Sequence, residues 1–435
     1  MWRMPNDDAP RADAAGHPDH AIEPIELIRQ SGAVLRLGKA MLSSGTGSYR
    51  VKSAMQQVAR AFGLDRHEAH VTLTEITTTS HRGAIFRTEV AEVRAVGVNA
   101  HRLGELTDLA NGLREGATVD DVNSELDRIQ ALPPLYAPLL NAFFAAMACG
   151  AFAFLNNGAL VEVVGAFLGA GAGQYLRRNL VHQGFNQFAV TMLSAALTCL
   201  LYLGFVTALE VGLGEAAANH QAGFISAVLY LVPGFPLVTG ALDLAKMDFS
   251  AGVARTTYAG LVLLSAGLSV WSVSWVTGMS TEPLAAPAVA LWVHILLRLL
   301  ASFLACLGFA LMFNSTMRMA LAAALIGMVA NVLRLQLADA GMAMQAATMI
   351  ATLVVGLLAA FAAPRLRIPR ITVSVPAVVI MVPGAAVYRA VVGLNNGDLE
   401  QAVTSGVQAV FVVICIAIGL AAARVLTDKA WACER

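Results

Sequence analysis

Two Pro-Gly pairs, one arginine deep in an apolar run and a few isolated carboxylates are the residues of this 435-residue chain whose placement could do chemistry. Pro233-Gly234-Phe235-Pro236 and Pro383-Gly384 each fall at the centre of a long apolar run. Proline there removes an N–H and displaces the carbonyl one turn earlier, so backbone groups are freed. In lipid such groups must face protein or a water-lined cavity. A half-helix beginning after each break would aim its positive end at that cavity, where a carboxylate could bind; a plain kink is the alternative. Arg298 lies near the middle of the apolar run 287–313, where a charge is expensive and marks function by default. It would pair with a ligand carboxylate or with one from the protein. His294, four residues earlier on the same helix face, could carry a proton near neutral pH or serve as a structural histidine. Arg389, about one and a half turns beyond Pro383, is a second carboxylate-binding candidate unless it snorkels. Glu162 and Asp243, nearer the ends than the centres of their runs, are the acidic candidates for proton coupling.

Other chemistries have weaker signatures. His67-Glu68-Ala69-His70 is one residue short of the HExxH zinc motif and sits at a strand entrance. Ser43, Ser44 or Ser48 with His70, His81 or His101 could form a hydrolase triad, but no GxSxG elbow is present. The five cysteines show no metal-type spacing, and four of them lie in apolar runs as small hydrophobes. No metal and no cofactor is expected. Asn156, Asn157, Asn331, Asn395 and Asn396 read as polar lining or helix-end caps, and Arg50 and Lys52 as a solvated face.

The elements that must hold these residues follow from composition. The chain is 57% hydrophobic and 13% charged, about half the charge of an ordinary soluble protein. Its net charge of zero leaves no basic footprint for nucleic acid. Residues 1–136 hold 33 of the 58 charged residues and six of the nine histidines. Pro133-Pro134 marks the natural boundary. Residues 1–21 read as a disordered tail without an apolar signal segment, and 22–132 as a small α/β domain. That domain opens with an amphipathic helix, 25–42. Gly45-Thr46-Gly47-Ser48 then forms a turn whose serine caps a second helix, Tyr49–Phe62, closed by Gly63. Strands are expected at 71–76 and 84–96, and short helices at 103–113 and 119–129.

Ten runs then approach the roughly 20 residues needed to cross a bilayer: 138–156, 159–176, 186–206, 222–244, 255–277, 287–313, 317–338, 341–362, 372–394 and 402–424. Placing the N-terminal domain in the cytoplasm collects Arg177/Arg178, Lys246/Arg255, Arg318, Arg365/Arg367/Arg370 and Arg424/Lys429 on its side. The opposite side receives Glu210, Glu215, Glu282, Asp339, Asp398 and Glu400, which fits the positive-inside bias. Both termini are then cytoplasmic, with 425–435 as a tail.

The membrane region also repeats itself. Leu231-Val232-Pro233-Gly234 matches Met381-Val382-Pro383-Gly384 at an offset of 150, where Asp248 also meets Asp398. Upstream, Asn156 matches Asn314, Gly169 matches Gly327 and Gln187 matches Gln345 at an offset of 158. Two five-helix units, 137–277 and 287–424, follow, and an odd helix count inverts the second. Inverted repeats with interrupted helices at the midplane are a transporter architecture. The expected fold is an α-helical polytopic membrane protein with an inverted 5+5 transmembrane repeat, plus a small N-terminal α/β cytoplasmic domain.

Three blocks carry a resemblance: LGKAMLSSGTGSYRVKSAMQQVARAFGL (37–64), GVNAHRLGELTDLANGLREG (97–116) and YLVPGFPLVTGALDL (230–244). In this order they resemble the threonine/serine exporter family over about residues 25–424. The resemblance implies a ten-span membrane protein of the inner (plasma) membrane. It also implies export of threonine, serine or a similar carboxylate-bearing metabolite, by antiport against protons. Family relatives with the two halves as separate subunits include dicarboxylate exporters, so a succinate-type substrate is the alternative. A membrane-anchored hydrolase acting through the N-terminal domain is a third reading, and enzyme activity is not expected. The expected partners are the substrate, protons and the lipid bilayer, with no nucleic acid; an oligomer stays open. The residues assigned to the substrate are Pro233, Gly234, Pro383, Gly384, Arg298 and Arg389, and those to the proton Glu162, Asp243 and His294.

Overall fold

The computed structural model of the chain describes residues 25–94, 97–213, 223–278 and 290–432. The expected tail 1–21, Glu215, Glu282 and Cys433 lie outside these residues.

Residues 25–131 form an N-terminal layer of helices α1 (Ile25–Ser43), α2 (Ser48–Ala61), α3 (Ala100–Gly112) and α4 (Val119–Ala131) around a three-stranded antiparallel sheet. The apolar stripe of α1 is buried through Leu27, Val34, Leu37 and Leu42, packed with Met55, Ile76, Leu106 and Leu126. The sheet corrects one expectation. Residues 71–76 are not a strand; they contain the turn between β1 (Arg66–Val71) and β2 (Glu75–Arg82). Thr72 closes that turn, its N–H donating to the Glu75 carbonyl and its hydroxyl accepting from the Glu75 N–H. The alternation seen in the sequence therefore spans two strand ends rather than one strand. β3 (Ile85–Glu92) follows after Gly83, which takes the left-handed conformation a tight hairpin needs.

The remaining helices are α5 (Pro138–Leu155), α6 (Leu160–His182), α7 (Gln187–Leu213), α8 (Phe224–Ala227), α9 (Gly234–Ala245), α10 (Phe249–Thr277), α11 (Leu291–Met312), α12 (Met317–Asp339), α13 (Met344–Leu366), α14 (Arg370–Val379), α15 (Gly384–Asn396), α16 (Leu399–Thr427) and the short α17 (Lys429–Ala432). Among the described residues, seven are long and apolar enough to cross a bilayer, and two bent pairs raise the number to nine. The tenth expected span, 159–176, is the helix α6, but its Gly/Ala-rich sequence and Glu162, Arg177 and Arg178 keep it out of that set. The chain is thus a polytopic membrane protein.

Both expected interruptions occur. The segments 224–231 and Gly234–Ala245 meet at 59°, and Arg370–Val379 and Gly384–Asn396 at 47°. The helix boundaries recur along the chain. α6 and α12 begin and end 157 positions apart, as do the left-handed residues Asn157 and Asn314. α9 and α15 begin 150 positions apart, and α10 and α16 begin and end at that same spacing. The upstream offset is therefore 157, one less than the 158 read from residue identity; low-complexity helices tolerate a one-residue slip that their ends do not.

The two series run in opposite senses relative to the N-terminal layer. α5 begins beside it, where the Leu135 N–H donates to Asn314 at 2.8 Å, whereas α11 ends there, its Phe313 carbonyl accepting from the Ala100 N–H at 3.0 Å. Likewise α9 ends at the layer through Asp243, whereas α14 begins there, Pro369 lying next to Gly104.

Candidate functional site

The two breaks cross and touch reciprocally. A Cβ on Gly234 would stand 3.1 Å from Val379, and one on Gly384 would stand 2.8 Å from Leu229 and 2.6 Å from Val232. Leu229 and Val379 are 150 positions apart, as are the two glycines. At Gly384 a side chain would force the crossing apart, and at Gly234 it would make Val379 give by a few tenths of an ångström. Neither α9 nor α15 has a side-chain cap at its N-terminus. In α9 Pro233 and Pro236 have no N–H and the Gly234 N–H donates to the Val232 carbonyl at 2.8 Å, which leaves the Phe235 N–H for a ligand; in α15 the Gly384 N–H donates to the Val382 carbonyl at 2.8 Å, which leaves those of Ala385 and Ala386.

A cavity of about 640 Å³ lies against the first break, walled by Pro233, Gly234, Phe235 and Pro236. Its polar side chains come mostly from α5, α6, α7 and α10, with Ser43 and Arg94 from the layer. Asn141 donates to the Met312 carbonyl at 3.0 Å, Gln174 donates to the Asn141 carbonyl oxygen at 2.8 Å, and Arg177 donates to the Gln174 carbonyl oxygen at 3.4 Å. This chain leaves Arg177 with one long hydrogen bond and no carboxylate within 4 Å among the described residues; its Nε is buried without a partner. Arg94, Arg178, His182 and Arg255 also line the cavity, and no Asp or Glu does among the described residues. Arg94 is paired with Glu92 and Arg255 with Asp243, which leaves the positive field to Arg177 and Arg178. The layer closes the far wall through Leu42, Ser43, Gly45, Gly97 and Val98.

That wall is fastened by a buried ionic cluster. Asp243, fully buried, holds Arg255 at 3.1 Å. Its other oxygen accepts from the N–H and the hydroxyl of Ser48, at 3.0 and 3.1 Å, so a membrane helix supplies the cap of α2. Arg255 donates to the Thr46 carbonyl at 2.7 Å, and Lys52 pairs with Asp248 at 2.7 Å. Ser48 is therefore not the cap of its own helix, and Lys52 is not simply solvated.

The residues expected to act are dispersed. Pro233 and Gly234 line the polar cavity. Pro383 and Gly384 line a second space of about 700 Å³, walled by aliphatic side chains of α9, α15 and α16 and free of charged residues. Arg298 is the eighth residue of α11 rather than a mid-helix one, and it pairs with Asp339 at the last residue of α12, the end away from the layer. His294 lies one turn earlier, edge-on to Phe154. Arg389 is half-buried in α15 and lines neither cavity. Glu162 is buried in the first turn of α6, close to Tyr202 beside Gly223. Asp243 belongs to the fastening cluster. Asn141 and Gln174 fall inside expected spans as single amides without a distinguishing pattern, and the sequence places Arg177 only among the cytoplasmic-side charges because the hydropathy run stops at 176, whereas α6 continues to His182. Amides recurring on one helical face with an arginine are the signal that could have found them.

A hydrolase triad is not assembled among the described residues. The hydroxyls of Ser43 and Ser44 both return to the Ala40 carbonyl and Ser48 is engaged by Asp243 and Asp248, while His81 packs against Phe86 and His101 lies 4.0 Å from Glu105. No group of three metal-ligating side chains occurs among them either.

The family model ThrE, a threonine/serine exporter model, matches residues 33–276, and a second, "Threonine/Serine exporter, ThrE", matches 298–426. The "Threonine/serine exporter" of Corynebacterium glutamicum is 24% identical over 443 residues, covering 98% of this chain and 88% of that protein. The "Probable succinate transporter subunit YjjP" of Escherichia coli (strain K12) is 26% identical over 261 residues, 57% of this chain and 98% of that protein. No solved structure matches. With one model covering more than half of its length and the second taking up most of the rest, the chain belongs to the threonine/serine exporter family.

Proposed function

We propose that the chain is a secondary-active exporter of small carboxylate-bearing metabolites, working by alternating access of two inverted five-helix repeats. The observation that carries this reading is the cavity at the first break, where Arg177 has no carboxylate partner and the uncapped start of α9 faces the same space. An arginine fork and the Phe235 N–H together recognise a carboxylate. The opposite sense of the two series and the reciprocal contact of the breaks support a rocking motion about that crossing. The layer is then a cytoplasmic domain, 22–132, that gates the inner mouth, in a protein of the plasma membrane with both termini inside. The buried Glu162 beside Tyr202 is the leading proton-coupling group, and Asp243 is a fastener rather than a proton carrier.

Threonine and serine are the substrates the family points to. A second reading is favoured by the cavity lining, which offers cations and no carboxylate to a substrate ammonium. That charge pattern suits a small dicarboxylate such as succinate, the substrate in the name of the Escherichia coli relative. Proteoliposomes with an imposed pH gradient test both. Coupled flux of threonine or serine supports the first reading, and succinate flux alone selects the second. Absence of all three fluxes refutes the exporter, and flux indifferent to the gradient refutes the coupling.

A further inference from the structure

We propose that Arg334, held by Asn331, forms a second carboxylate site that serves the substrate at the face opposite the N-terminal layer. This rests on the inverted-repeat reading above. The shift of 157 that aligns the helix ends carries Asn141, Gln174 and Arg177 onto Arg298, Asn331 and Arg334. All six are strongly polar positions on helices α5, α6, α11 and α12, which are otherwise largely apolar.

The two clusters are built the same way. On α6, Arg177 donates back to the amide oxygen three residues earlier; on α12, Arg334 donates to the Asn331 amide oxygen at 3.0 Å. In each case the amide nitrogen then crosses to the preceding long helix, Gln174 to Asn141 on α5 and Asn331 to Ser302 on α11, at 2.8 and 2.9 Å. The amide thus fixes the arginine in both halves, and the neighbouring helix fixes the amide.

Arg334 also shares the unsatisfied charge of its counterpart. It has no carboxylate within 4 Å among the described residues, and its remaining contact is the Met344 sulfur at 3.5 Å. Asp339, the acid at the end of the same helix, is engaged by Arg298. Two residues along, the Gln336 side-chain nitrogen is buried without a partner. A half-buried arginine on a membrane helix without a counter-ion is costly, and an anionic ligand would relieve that cost. Arg177 opens on the cavity, and Arg334 does not. That asymmetry is what alternating access requires, because one vestibule closes as the other opens. The chemistry recognised is one carboxylate, common to threonine, serine and succinate.

The test uses the full chain in oriented vesicles, with labelled threonine and succinate offered from each face in turn. Arg334→Gln raises the apparent KM at the face away from the layer by about tenfold or more. At the layer face it stays within about twofold. Arg177→Gln gives the converse, and Arg334→Lys recovers part of the loss because it keeps charge without the fork. An unchanged KM at the far face, or equal increases at both faces, overturns the second site. A variant that fails to insert is replaced by Arg334→Lys, for which a KM equal to wild type on both faces is also a refutation. If the wild type carries neither substrate, the exporter reading falls as well; flux in the wild type with a normal Arg334→Gln removes the second site alone.

Discussion

Gly47→Ala is a clean probe of the bond between the N-terminal layer and the membrane helices. Gly47 has φ −68° and ψ 155°, a conformation that alanine adopts freely, so the layer itself is unstrained. The new Cβ would lie 2.8 Å from Asp243 Oδ1, against about 3.4 Å for an ordinary contact. Relieving it moves the carboxylate by about 0.6 Å and stretches the 3.0 Å bond from the Ser48 N–H beyond hydrogen-bond length. Losing one charge-assisted hydrogen bond costs about 1.5–3 kcal/mol, which shifts the docked population about 10- to 150-fold. Amide hydrogen exchange reads this directly, since the Ser48 N–H is the reporting group. Its protection should fall by that factor while amides in the cores of α1 and α4 keep theirs. Gly32→Ala, with nothing within 4 Å of its Cβ, is the matched control and should change nothing at Ser48. Wild-type protection at Ser48 in the Gly47→Ala protein would refute the reasoning, as would a uniform loss across α1–α4.

Three further outcomes follow from the geometry. Asp243→Ala leaves Arg255 buried without its carboxylate and should cost about 3–5 kcal/mol, whereas Asp243→Ala with Arg255→Met should recover much of it; thermal unfolding in detergent distinguishes the two. Gly384→Ala forces a Cβ to within 2.6 Å of Val232, so the crossing must spread at a cost of about 1–3 kcal/mol, visible as a lower Tm and slower substrate flux. Burial holds the His67 imidazole at a pKa of about 4, below its ordinary 6.5. Unfolded chains therefore bind a proton between those values that the folded hairpin refuses. Stability is undiminished above pH 6.5 and falls as the pH drops, by about 2 kcal/mol at pH 5. His67→Gln should flatten that dependence in hydrogen exchange of β1 and β2.

The membrane helices were legible because hydrophobic runs report length, and both breaks were legible because proline and glycine act locally. What stayed hidden depends on distance in the chain. Ser48 meets Asp243 across 195 residues, and no local pattern pairs them. The sequence alone makes Arg298 a mid-membrane charge, because Asp339, 41 residues later, lies beyond the expected span 317–338. Arg177 stands just past a hydropathy run that its helix outlasts, so the sequence assigns it to a loop charge rather than to a cavity. The strand expected at 71–76 failed for the opposite reason: alternation is so local that a turn between two strands reproduces it.

The layer touches both halves of the membrane region by the starts of two of its helices. α2 is capped by Asp243 of α9, while α3 presents its first two N–H groups to the carbonyls of Phe313 and Asn314 just past α11, its cap Asn99 bonding the Asn314 side chain at 2.9 Å. Each contact sets a positive helix end against an anionic side chain or a negative helix end, which gives it direction as well as affinity. A relative whose chain ended after α10 would keep the first contact and have to find the second on another polypeptide. Within this fold, the joint that restrains one molecule's motion is also a template by which two separately made halves would recognise and orient each other.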